Sequence, residues 1–169
     1  MGAMMMRVLL LALAMMVGLV GCDRANVADV ERNPNGGLDI SVAVNEQEVN
    51  EIVQRALDQG GNPLLRNPVV DLQAGQMVIS GEHESRELNR TVSGSLTVTA
   101  TSSNNTLQVQ VTQVNIEGFD MSDARIAELN QRLSANFTDR LNRENANFSV
   151  TAVSITADAL TFTINVRQG

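Results

Sequence analysis

The spacing of apolar positions changes repeatedly along this chain, and the changes divide it into elements. Residues 8–20, VLLLALAMMVGLV, are apolar without interruption. Residues 23–37, DRANVADVERNPNGG, are polar, hold Pro34 and close on two glycines, which predicts a flexible tether with little to bury. Leu38, Ile40, Val42 and Val44 then alternate as in a short strand. From Asn45 the period lengthens: Val49, Ile52, Val53, Ala56 and Leu57 share one helical face. Asn45 followed by Glu48 fits a capping box, and Gly60-Gly61 ends the helix.

Beyond a loop carrying Leu64 and Leu65, period two returns. VVDLQ and MVISGEH flank Ala74-Gly75 as a hairpin. Val92, Leu96, Val98 and Ala100 alternate with threonine and serine; after the turn SSNN, Leu107, Val109 and Val111 alternate with glutamine and threonine. The alternation slips by one before Val114 and Ile116, which predicts a β-bulge. Ile126, Leu129, Leu133, Phe137 and Leu141 form a second helical stripe, with Ser122 as N-cap and Asp123 suited to the helix dipole. The last two strands turn at Asp158, the final one alternating Leu160, Phe162, Ile164 and Val166 with polar residues. The predicted class is α+β, in the order helix, four strands, helix, two strands. One apolar sheet face packs on two amphipathic helices within a domain of residues 38–169.

Composition narrows the function. The formal charge is −7, and all twelve basic residues are arginine. An acidic chain without a basic cluster argues against nucleic acid and against electrostatic docking on anionic lipid. Four phenylalanines are the only aromatic residues, so stacking platforms for sugars or single strands are not expected. Without lysine, Schiff-base chemistry is excluded.

No catalytic, metal or cofactor site is expected. GEHES places Glu82 and Glu84 on one side of a strand and His83 on the other, with no second histidine to complete a zinc shell. Ser93 and Ser95 lie inside an alternating strand without the sharp turn of a serine nucleophile. What remains is an excess of aliphatic residues on one sheet face and two helices. These suit an ordinary packed core or, being slim and flexible, the lining of an acyl-chain cavity.

The only cysteine, Cys22, follows the apolar run directly. A short start with one arginine, an apolar middle and small Gly21 before Cys22 make the layout of a secretory signal over residues 1–21. The apolar run falls short of the roughly 20 residues a bilayer-spanning helix needs. Leu19-Val20-Gly21-Cys22 resembles the lipobox of bacterial lipoproteins, which implies cleavage before Cys22, its acylation, and anchoring of residues 22–37 as the tether on an extracytoplasmic membrane face. The membrane is then the inner membrane or the cell surface. The alternative is an ordinary signal peptide that leaves a free thiol.

The run VVDLQAGQMVISGEH … SGSLTVTATSSNNTLQVQVTQVNIEGFDMSDARIAELNQRL resembles the LmeA-like bacterial lipid-binding domains. Gly81, Gly118, Phe119 and Met121 stand at the positions of that pattern. The resemblance implies a TULIP-like fold, a strongly curved antiparallel sheet wrapped round helices, enclosing a groove for a phospholipid or another apolar ligand. Its lining would be Val49, Ile52, Val53, Ile126, Leu129, Leu133 and Phe137 from the helices. Leu96, Val98, Val109, Val111, Phe162 and Ile164 would join them from the sheet. Leu64, Leu65, Phe119 and Met121 would form its rim, as apolar residues in loops where solvent exposure is expected. The competing expectation is a solid-core module that scaffolds an envelope complex.

Overall fold

The computed structural model describes residues 26–34, 36–61, 63–86, 88–142 and 148–166. Among the described residues eight strands and two helices follow one another as β1 (Asn26–Arg32), β2 (Leu38–Asn45), α1 (Glu46–Asp58), β3 (Arg66–Gln73), β4 (Gln76–Ser85), β5 (Arg90–Ser103), β6 (Thr106–Asn115), α2 (Ala124–Asn142), β7 (Phe148–Ile155) and β8 (Ala159–Val166). They form two four-stranded antiparallel sheets, β1-β2-β8-β7 and β3-β4-β5-β6, where a single sheet was expected.

The local predictions hold where side-chain period decides. Asn45 Oδ1 accepts from Glu48 N–H at 3.0 Å while Glu48 Oε2 accepts from Asn45 N–H at 3.2 Å, a complete capping box. The slip in β6 is a bulge: Thr97 faces Gln113 and Val98 faces Val111, leaving Thr112 extra. β3 starts earlier than its apolar run, because a bulge around Asn67 (φ +49) and Pro68 lets an edge strand hold a proline.

Two expectations are corrected. The segment expected as a tether carries β1, which pairs with β2 from Asn26↔Ala43 to Arg32↔Leu38. Its Val30 is 52% exposed, and the strand is held by its backbone ladder and its turn. In that turn Asp39 accepts from Asn33 Nδ2 at 2.8 Å and from Asn165 Nδ2 at 2.7 Å; these bonds hold its carboxyl below the usual carboxylate range. The second helix begins after Asp123 rather than Ser122: Asp123 Oδ1 accepts from Arg125 N–H at 2.9 Å, the N-cap bond to the second helical residue.

The β3–β6 sheet and the two helices close into a ring. α1 packs on edge strand β3, α2 packs on edge strand β6, and the helices pack on each other. Both free edges are satisfied by helix side chains. Asn50 Oδ1 and Glu46 Oε2 accept from the amides of Val70 (3.1 Å) and Leu72 (3.0 Å), while Ser134 Oγ and Asn130 Oδ1 accept from those of Val109 (3.0 Å) and Val111 (2.8 Å). An open edge would otherwise present unpaired amides to water or to another chain.

The other sheet closes one end of this ring. The Gly75 amide in the β3–β4 turn donates to Ile155 of β7 at 2.9 Å, and Val150 of β7 donates to Asn105 in the β5–β6 turn at 3.0 Å. β7 therefore passes across both hairpin tips, and its sheet forms a base. The opposite end is a mouth built from the α1–β3 loop, the β4–β5 turn and the β6–α2 loop.

Candidate functional site

Every residue expected to line the groove is buried, and all belong to one apolar cluster. α1 presents Val49, Ile52 and Val53; α2 presents Ile126, Leu129, Leu133 and Phe137. Leu96, Val98, Val109 and Val111 come from β5 and β6, and Phe162 and Ile164 from β8 of the base. The Phe137 and Phe162 rings meet at 6.1 Å, so the second helix touches the base through its aromatic residue. The sequence thus named residues from both helices and both sheets that fold into one layer, without indicating that two sheets supply it.

The rim expectation divides. Leu64 and Leu65 are each 1% exposed, a correction to their reading as exposed loop residues. Glycine on the facing strand makes the space: a Cβ on Gly81 would lie 3.2 Å from Leu65 Cβ and 2.7 Å from the Arg66 carbonyl oxygen. Gly94, opposite Gly81 in the ladder, gives the same room to Ile116, whose Cγ1 would lie 2.6 Å from an added Cβ. Phe119 is half-buried and Met121 is 44% exposed, so these two remain at the surface of the mouth. Gly118 (φ +76) turns the chain before them in a conformation that other residues rarely adopt.

His83, on the side of β4 opposite Glu82 and Glu84, is 7% exposed. Its Nδ1 lies 2.8 Å from the Leu64 carbonyl oxygen, which can only accept; Nδ1 therefore carries a hydrogen. The Phe119 ring meets the imidazole edge-on at 5.6 Å. Glu82 and Glu84 point outward as expected, with Glu84 paired to Arg66 at 2.9 Å. The alternation of Met77, Ile79, Gly81 and His83 was the available signal that His83 faces inward.

Beside His83 a cavity of about 260 Å³ is lined by residues 83–86 and by Gly118, Phe119 and Arg125. Arg125 is held at its wall: Nε and Nη2 each donate to Asp123 at 3.1 Å, and the guanidinium lies 4.4 Å over the Phe119 ring. The Asp123 carboxyl is held below its ordinary range chiefly by the Arg125 side chain, then by the Arg125 amide. A second cavity, about 640 Å³ and wide open, lies along Ser80, Ser93, Ser95 and Asn115 with the backbone of Gly81 and Gly94. A third, about 260 Å³, sits where α2 ends near Leu107, Phe148 and Val150. None of these three is lined by the expected groove residues.

The profile of the LmeA-like phospholipid-binding family matches residues 21–165, which spans both helices and nearly the whole of both sheets. The chain belongs to the LmeA-like phospholipid-binding family. No curated protein and no solved structure matches it. Gly21 and Cys22, expected as cleavage and acylation positions, lie outside the described residues.

Proposed function

We propose that the protein is a phospholipid-binding lipoprotein on the extracytoplasmic face of a bacterial membrane, anchored by acylated Cys22. It holds the acyl chains of its ligand between the helix faces and the two sheets. Membership of a phospholipid-binding family carries the reading. The aliphatic layer supports it in kind, since unbranched and branched aliphatic side chains can part and close around a hydrocarbon chain. The helices must give way for a chain to enter. Besides apolar packing, the helices are joined by an ion pair between Arg140 and Glu48 at 3.0 Å and by reciprocal amide bonds between Gln59 and Asn136. Direct analysis of an organic extract of the purified full chain by mass spectrometry tests this. Stoichiometric phospholipid is the expected result.

The near-complete burial of the same residues favours a second reading, a solid-core scaffold for an envelope complex. A folded protein whose extract holds no lipid, and which takes up none from vesicles, selects the scaffold. Anchoring is tested separately: Cys22→Ser abolishes incorporation of labelled fatty acid and releases the chain from the membrane fraction. Unchanged labelling in that variant overturns the anchor.

A further inference from the structure

We propose that the mouth is a headgroup site, in which the cavity beside His83 takes the phosphate of a membrane phospholipid between Arg86 and Arg125. The inference rests on the phospholipid-binding reading and names the end of the molecule where the ligand's charge is held.

Three observations converge there. In a chain of net charge −7, two arginines line one cavity of about 260 Å³. Arg125 is fixed before any ligand arrives, by the two-point pair with Asp123 on its edge and the Phe119 ring on its face. A guanidinium so held keeps Nη1 for an incoming anion and loses little freedom on binding it. Arg86 stands in the β4–β5 turn, exposed, with no hydrogen bond or ion pair to another described residue. That turn is shaped from below by Ser85, whose buried Oγ accepts from the Leu88 amide at 3.2 Å.

The competing charges are already engaged. Asp123 belongs to Arg125, and Glu84 is held by Arg66 on the outer face of β4. His83 spends Nδ1 on the Leu64 carbonyl, which leaves Nε2 as its remaining ring nitrogen. On either side of the cavity the two loops expose one large apolar residue each, Leu88 (39%) and Met121 (44%). Apolar tips beside two arginines match a phospholipid molecule, whose phosphate lies directly next to hydrocarbon. A free anion in solution offers the tips nothing.

The test uses the full chain with dihexanoyl phosphatidylglycerol and dihexanoylglycerol, the same acyl chains with and without phosphate. Wild type should bind the phospholipid more tightly. Arg86→Glu should weaken that binding roughly ten-fold, the effect of one lost charge-assisted contact, and leave the diacylglycerol unaffected. Arg86→Lys should keep most of the affinity, and neither variant should shift the melting temperature. Equal phospholipid affinity in wild type and Arg86→Glu overturns the headgroup site while leaving lipid binding intact. Failure of wild type to bind either lipid overturns the underlying reading instead. Inorganic phosphate binding as tightly as the phospholipid overturns the lipid as the source of the anion.

Discussion

Asp123 caps α2 and pairs with Arg125 through the same carboxylate, so substitution can separate its acceptor geometry from its charge. Asp123→Asn keeps a good cap and loses the ion pair; Asp123→Ala loses both. The alanine variant should lose about 1 kcal/mol from the missing cap, with the asparagine variant between it and wild type in a denaturant titration. The sign of the pH effect follows from the depressed carboxyl. Its contribution is present above the unfolded-state value and disappears as pH falls through the folded one. Acid titration of stability should therefore show a step below about pH 4 in wild type that is smaller in Asp123→Asn. Gly81 and Gly94 act at the same scale by omission, since the missing side chains admit Leu65 and Ile116 to the core. In the sequence these glycines are gaps in an apolar alternation; the reason for each gap is a residue elsewhere in the chain.

At the level of elements, the helices do more than cover an apolar face. Each supplies two acceptors to a strand edge, so the ring is closed by side chains rather than by a ladder. Asn130→Leu removes the partner of the Val111 amide in a part-buried setting and should cost about 1–3 kcal/mol, measured by denaturant unfolding. Gln110→Leu, exposed on the same strand, should be nearly neutral. Equal effects would mean that apolar packing alone holds α2 to β6. β1 is the opposite case, a strand fixed by backbone bonds with an exposed valine, and its polar composition gave no period to read.

The whole molecule has two ends with different roles. The mouth carries Arg86, Arg125, Leu88 and Met121, whereas Asn26 enters the base, paired with Ala43 just before α1. Cys22 precedes Asn26 by four positions, a reach of about 14 Å fully extended. The ring wall, with ten residues in β4, is about 33 Å tall. With the proposed anchor in place, the mouth should therefore point away from the membrane that holds Cys22. Spin labels at Met121 and at Gly75 test this: the label at Gly75 should be the one broadened by a lipid-phase relaxation agent.

The apolar layer is tested at the same scale. Val109→Phe, aimed into the layer, keeps or raises the melting temperature if helices and sheets yield to an acyl chain, and it should displace bound lipid. In a close-packed interior the same change costs about 1–3 kcal/mol and favours the scaffold.

By itself the sequence determined the elements other than β1 and their inward faces, from the capping box at Asn45 to the bulge before Val114, because burial repeats with the period of the backbone that carries it. The tertiary structure alone decided the division into two sheets, the pairing of β1, the burial of Leu64 and Leu65, and the placing of Arg86 and Arg125 on one cavity. Strand ladders are made from amides and carbonyls that every residue but proline possesses, so their partners leave little mark on composition. The mouth joins residues far apart along the chain, and their proximity is a property of the path, set only when sheet edges, helices and base close together.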